Sequence, residues 1–106
     1  MAIKINKALN DKTGGTVASG TIVKFETNFP KEGAKINFGI FCYKSQADYD
    51  AGKAPYVPEE ITNFSPSYAL VGGDYDSLTP AVVHSKLQTI LEAMSGIGAG
   101  QTEVVG

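Results

Sequence analysis

The sequence is short of the residues that build catalytic and metal centres. Its 106 residues include one cysteine and one histidine, with no tryptophan and no arginine. A single Cys42 excludes a disulfide within the chain and a cysteine-based metal cluster, and its apolar surroundings predict a buried, inert thiol. One histidine and one cysteine cannot supply the three or four ligands of a typical zinc site. We therefore expect no cofactor and no metal.

The charges argue against a nucleic-acid partner. Arginine makes the usual bidentate contacts to phosphate and guanine, and here it is absent from a chain of net charge -2. Residues 1–53 carry a net +3 and residues 54–106 a net -5. If the two halves faced different ways, copies could attract head to tail; if the halves interleave in space, the asymmetry disappears.

Long apolar runs are also missing. No run approaches the roughly 18 to 20 residues that a membrane helix needs, and the first residues lack a long apolar signal segment. We expect no membrane contact and synthesis in the cytoplasm. The length predicts a single domain over residues 1–106. Twelve glycines and five prolines between short apolar runs indicate a β-rich body.

One amphipathic helix is predicted over residues 79–94. Its apolar stripe has helical spacing and comprises Val83, Leu87, Ile90, Leu91 and Met94. Thr79 is placed to cap the first turn, Pro80 suits the first helical position, and Leu78 can pack on Val83. Gly96 is expected to end the helix in a left-handed conformation. One stripe needs one partner surface, and a sheet is the obvious candidate.

The segments before the helix predict strands and turns. Alternating apolar residues indicate strands at residues 16–27, with a bulge at Gly20, and at 34–44. Ser45 is expected to cap a short helical turn. Residues 59–64 and 67–71 predict two further strands. The fold class expected is α+β, an antiparallel β-sheet or small β-sandwich with one C-terminal amphipathic helix packed on it.

Both ends of the chain are candidate arms. Residues 1–15 are interpreted as an N-terminal arm, with a short strand around Ile3 and Ile5 as the alternative. Residues 97–106 are interpreted as a C-terminal arm, either flexible or ending in a short strand. Such an arm could add a strand to the sheet edge of a neighbouring molecule.

No catalytic group is expected. His84 lies beside the apolar stripe and is interpreted as a half-exposed helix residue, since no nucleophile or orienting acid accompanies it. Asp74 and Asp76 suggest calcium but lack the spaced ligands of an EF-hand loop, so a solvated loop is the preferred interpretation. The glycines of residues 96–100 follow a helix and indicate a hinge rather than a phosphate-binding loop.

Tyrosines cluster between residues 43 and 75, where they could line a sugar site or an interface, or pack at strand edges. Together with the apolar end of the chain they give five candidate interface residues: Tyr49, Tyr56, Tyr75, Val104 and Val105.

Four segments carry a resemblance to a known class of protein. Residues 21–26, the Pro-Gly turn at 30–33, residues 41–45 and residues 47–55 together resemble small virion structural proteins of tailed bacteriophages and prophages. The resemblance implies a component of the capsid, neck or tail that acts in repeated copies, with other virion proteins as partners and no catalytic residues.

Two functions follow as hypotheses. The first is a non-enzymatic structural protein that assembles through contacts between copies. The alternative is a small-ligand or carbohydrate-binding β module that uses the tyrosines of residues 43–75 and the loop at 74–76.

Overall fold

The computed structural model describes residues 2–28, 35–69 and 79–105. Within these ranges the chain forms the following elements: β1 Ala2–Ile5, β2 Leu9–Asn10, β3 Thr16–Val17, β4 Thr21–Asn28, β5 Lys35–Tyr43, α1 Gln46–Asp50, β6 Ser67–Ala69, α2 Pro80–Glu92 and β7 Thr102–Val105. The predicted α+β class is confirmed, in the form of an antiparallel sheet with a C-terminal helix packed on it.

The main sheet has five strands in the order β6-β5-β4-β1-β7, and every neighbouring pair is antiparallel. The longest ladder joins β4 to β5, where Val23 lies opposite Cys42 and Phe25 opposite Ile40. β2 and β3 form a separate two-stranded sheet. Strands from the second half of the chain thus flank strands from the first half, so the two halves interleave within the sheet.

The core lies between one face of the sheet and α2. Alternate residues of β1, β4 and β5 point to this inner face, which follows from the two-residue period of a strand. The buried apolar side chains from these strands and from α2 are Ile3, Ile5, Val23, Ile36, Phe38, Ile40, Cys42, Val83, Leu87 and Leu91. Ile90 and Met94 are partly buried against them, so the predicted stripe is confirmed as the packing face of α2.

The start of α2 also follows the prediction. Thr79 is the N-cap, and its hydroxyl accepts a hydrogen bond from the backbone N–H of Val82 at 3.2 Å. Pro80 occupies the first helical position, where its missing N–H has no cost. The expected contact of Leu78 with Val83 lies outside the described residues.

The end of α2 differs from the prediction. The helix ends at Glu92 with Ala93 as its C-cap, and Gly96 does not adopt a left-handed conformation. A Cβ added at Gly96 would lie 2.8 Å from both Cβ and Cγ of Glu60. Glycine is therefore needed at 96 because another segment approaches closely, not because the helix stops there.

Of three predicted strands, one is divided, one is absent and one is described only in part. The strand expected at 16–27 is divided, because Gly20 has a φ of 117° and β4 begins only at Thr21. Residues 59–64 contain a turn and irregular backbone instead of a strand, although Ile61 enters the core. The strand expected at 67–71 is β6 over Ser67–Ala69, and Leu70 and Val71 fall outside the described residues.

The two candidate arms belong to the sheet. Residues 2–5 form β1, which pairs with both β4 and β7, and thus adopt the strand alternative rather than the arm. Ile97 is buried in the core, and residues 102–105 form β7 against β1. Of the two alternatives for residues 97–106, the described part, 97–105, adopts the one that ends in a short strand, and this segment is hydrogen-bonded within its own molecule.

Candidate interaction surface

The five candidate interface residues do not form one surface. Tyr49 lies on α1, Tyr56 is inside the core, and Val104 and Val105 lie on β7. Tyr75 lies outside the described residues. The described candidates thus lie in three places: an aromatic group on the outer face of the sheet, which is the face opposite α2, a buried tyrosine in the core, and the sheet edge formed by β7.

The aromatic group lies where α1 covers the outer face. The rings of Tyr43 and Tyr49 meet edge to face with centroids 5.0 Å apart, and Nζ of Lys24 stands 4.6 Å from the centroid of Tyr49. Phe41 follows on the same face of β5, opposite Lys24, and is 41% exposed. Contacts with one another hold most of these side chains in place, and Phe41 is the member most open to solvent.

Tyr56 has a structural role. It is buried, and its hydroxyl and the Thr21 hydroxyl lie 2.5 Å apart. Burial raises the pKa of Tyr56 to about 12, so the phenol remains protonated and can donate within this pair. The sequence predicted Tyr56 at an interface. An isolated β-bridge between Cys42 and Tyr56 instead carries the ring into the core, and such a bridge has no signature in the sequence.

β7 forms one end of the described sheet, and its backbone groups alternate in direction. The N–H of Asn6 donates to the carbonyl of Gln101 at 2.7 Å, which makes these two residues a hydrogen-bonded pair. Bonded and non-bonded pairs alternate along an antiparallel ladder. Glu103 and Val105 therefore direct their N–H and C=O groups to β1, whereas Thr102 and Val104 direct theirs to the open side.

The carboxylate of Glu92 covers the beginning of that open side. It accepts a hydrogen bond from the N–H of Gly100 at 2.9 Å and another from the Thr102 hydroxyl. Hydrogen bonds from Thr102 and Gly100 lower the pKa of Glu92. Among the described residues, the C=O of Thr102 and the N–H and C=O of Val104 remain directed to the open side.

Side chains on the two faces of β7 differ in character. Val104 is 36% exposed on the inner face, opposite the buried Ile3. On the outer face, Nζ of Lys4 lies 3.8 Å from the Glu103 carboxylate. A shallow depression of about 370 Å³ on this face is lined by Lys4, Ser19, Gly20, Ile22, Ser45, Gln46 and Val105. The edge therefore combines an apolar inner side with a charge-paired outer side.

Asp11 organises the tight loop between β2 and β3. Its carboxylate accepts hydrogen bonds from the Thr13 N–H at 2.9 Å and the Thr13 hydroxyl at 2.8 Å, and Nζ of Lys44 lies 3.4 Å away. The hydrogen bond from the Thr13 N–H is the main cause of a lowered pKa for Asp11. The sequence indicated a turn here but gave no sign of the distant partner Lys44.

His84 is buried, not half-exposed as predicted. Its Nδ1 lies 2.6 Å from the carbonyl of Pro80, so Nδ1 carries the proton and donates, and its ring meets Phe25 edge to face at 4.7 Å. Nε2 has no hydrogen-bond partner among the described residues. The helical spacing placed His84 next to the stripe, but the width of the sheet beneath α2 brings it into the core.

Cys42 is fully buried, as predicted, and desolvation raises the pKa of its thiol to about 12. Within residues 2–28, 35–69 and 79–105, no three His, Cys, Asp or Glu side chains are grouped so that they could hold a metal ion. The calcium hypothesis for Asp74 and Asp76 lies outside these ranges. No helix of the described chain has the length and apolar character needed to cross a membrane.

Comparison of the chain with protein-family models, with curated proteins and with solved structures found no match.

Proposed function

We propose that this protein is a non-enzymatic assembly protein that acts through contacts between copies of itself. The observation that carries the proposal is the edge of β7, which pairs only with β1 among the described residues and where Val104 has an outward backbone and a side chain that is 36% exposed. An unpaired strand edge is a template for pairing with another chain.

The distribution of polar groups supports a structural role. The buried or part-buried side chains of Asp11, Tyr56 and Glu92 all join one segment of the fold to another, Asp11 through an ion pair with Lys44 and the other two through hydrogen bonds. Each of these bonds stabilises a loop, a strand or the end of the sheet. The edge of β7, by contrast, carries a valine that the monomer leaves partly uncovered.

The resemblance of residues 21–26, 41–45 and 47–55 to small structural proteins of tailed bacteriophages supports a phage particle as the assembly in which the protein acts. The protein would be a multi-copy component of a capsid, neck or tail, made in the host cytoplasm and incorporated into the virion. Its partners would be its own copies and other virion proteins, without sequence-specific nucleic acid and without membrane.

The proposal is tested by the mass of the protein in solution. Sedimentation velocity over a wide concentration range should show a defined assembly that grows from the monomer as concentration rises. A strict monomer at every concentration would contradict self-assembly. Deletion of residues 97–106 is not a suitable variant, because it would remove β7 and uncover β1 within the monomer.

The exposed aromatic group on the outer face supports a second candidate, a carbohydrate or small-ligand module. An open aromatic face such as Phe41, beside Lys24 and Tyr49, is suited to stacking on a sugar ring. A panel of glycans, with and without calcium, should then raise the melting temperature, and Phe41→Ala should abolish the increase. An unchanged melting temperature across the panel would remove this candidate.

A further inference from the structure

We infer that two copies of the chain pair antiparallel through their β7 strands about a two-fold axis at Val104, joining two five-stranded sheets into one of ten strands. This inference rests on the proposed function and specifies its contact: the partner is a second copy, and the edge that meets it is β7. A two-fold axis closes the assembly at this edge, since each copy presents the same strand to the other.

The backbone supplies the first argument. Val104 directs its N–H and C=O away from β1, so two antiparallel copies centred on Val104 exchange both bonds between Val104 and its counterpart. The pairing continues the ladder that already joins β1 to β7. It satisfies the outward N–H and C=O of Val104.

The alternation of side chains limits the register. In a continuous sheet, residues directly opposite each other have their side chains on the same face. The two-fold axis must therefore place one residue opposite its own counterpart in the second copy. It cannot lie midway between two neighbouring residues of the strand. For a strand of four residues, Thr102–Val105, the central choices are Glu103 and Val104. These two registers place different side chains in contact and are therefore distinguishable.

Charge favours the register centred on Val104. The register centred on Val104 places Val104 opposite Val104 of the second copy on the inner face. On the outer face it places Glu103 of each copy opposite Val105 of the other. The register centred on Glu103 would place two carboxylates directly opposite each other, and like charges in that position are destabilising. Lys4 stays beside Glu103 in either case, because that pair lies within one molecule.

The carboxylate of Glu92 also favours Val104. The register centred on Glu103 would pair Thr102 with Val104 of the second copy, which requires the Thr102 N–H to donate across the interface. The second copy would then pair at the residue whose hydroxyl the Glu92 carboxylate holds, beside the N–H of Gly100 that the same carboxylate accepts. Pairing centred on Val104 needs no donor from Thr102 within the described strand.

Cysteine crosslinking in the full chain tests both the contact and its register. Under mild oxidation with copper phenanthroline, V104C should form a disulfide-linked dimer, because residues exchanging both bonds have Cα atoms about 5.5 Å apart. E103C should not, because its counterpart lies on the diagonal at about 7 to 8 Å. V57C, an equally exposed valine outside the strands, and the wild type with its buried Cys42 serve as controls for random collision.

The outcomes separate this inference from the proposed function. Crosslinking of E103C without V104C would overturn the register, and equal crosslinking of V57C and V104C would overturn a specific contact. If sedimentation shows assembly while neither β7 variant crosslinks, pairing through β7 is overturned and the proposed function stands. A monomer at every concentration overturns both.

A charge substitution gives an independent measurement. V104K places two lysines opposite each other and should abolish the dimer in sedimentation experiments, while circular dichroism of the monomer stays unchanged because the side chain is already partly exposed. V57K, the matched control, should leave the dimer intact. A V104K protein that dimerises as the wild type does would overturn the inference.

Discussion

β1 and β7 are alike in length and differ in their places in the sheet. Each is a four-residue strand near one end of the chain, and each was predicted to belong to an arm. β1 lies between β4 and β7, whereas β7 has a described neighbour only on the β1 side. Ile3 and Val104 lie directly opposite each other, yet Ile3 is fully buried and Val104 is 36% exposed.

The difference shows that position in the sheet determines the role of a short strand. Ile3 is enclosed by strands on both sides and faces the core under α2, so its side chain contributes to folding. Val104 meets β1 on one side and solvent on the other, so its side chain and backbone can serve a partner. Four predictions test this contrast, from the largest expected effect to the smallest.

Ile3→Ala should destabilise the protein strongly. Removal of the buried side chain should lower the free energy of unfolding by about 2 to 5 kcal/mol, the usual cost of such a substitution in a core. Val104→Ala should cost below about 1 kcal/mol, since surface substitutions have small effects. Urea unfolding of the monomer measures both; similar losses for the two variants would contradict the distinction between β1 and β7.

Leu87→Ala tests the packing of α2 on the sheet that contains β1 and β7. Leu87 is fully buried at the centre of the α2 stripe, so we expect a loss of about 2 to 5 kcal/mol in the free energy of unfolding. Val82→Ala on the same helix is the matched control, because Val82 is exposed. A loss below about 0.5 kcal/mol for Leu87→Ala would show that the stripe does not face the core.

Gly96→Ala tests the segment that leads from α2 to β7. The new Cβ would meet Glu60 at 2.8 Å, and relief requires movement of one of the two segments, so we expect a loss of about 1 to 3 kcal/mol. Gly39→Ala is the control, since a Cβ there has no neighbour within 4 Å. Thermal unfolding measures both variants, and equal melting temperatures would show that the approach to Glu60 is not tight.

Glu92→Gln should change how stability depends on pH at the β7 edge. The pKa of Glu92 is lower in the folded state than its ordinary value of 4.5, so between the two values the unfolded chain binds the proton and the folded chain does not. This contribution to stability is present above pH 4.5 and disappears as the pH falls through the folded-state pKa. Urea unfolding from pH 6 to pH 3 should show a shallower loss for Glu92→Gln than for the wild type; identical slopes would contradict the role of the carboxylate.

Local sequence signals predicted the elements that depend on near neighbours. Thr79 and Pro80 begin α2 as expected, because a cap and a first-turn proline act within four residues. Ser45 caps α1 in the same way, accepting a hydrogen bond from the Asp48 N–H at 3.0 Å. The alternation of apolar residues was also sufficient to predict β5, since the inner face of this strand is buried along its length.

The predictions that failed depend on residues far apart in sequence. Gly96 was taken for a helix stop, but its neighbour is Glu60, 36 positions away. His84 was expected at the surface, but Phe25 of β4 covers its ring. The partner of Asp11 is Lys44, which no local pattern connects to it. Such contacts form only when the strands are arranged in their sheet order.

For the edge at β7, the sequence by itself determined only that residues 102–105 can form a strand, because three of the four side chains, those of Thr102, Val104 and Val105, are β-branched. Only the tertiary structure decided that this strand pairs with β1, that Glu92 covers its beginning and that the backbone of Val104 faces outward. The physical reason is that a strand's hydrogen bonds are completed by other segments, and the sequence of one strand does not specify which segments those are.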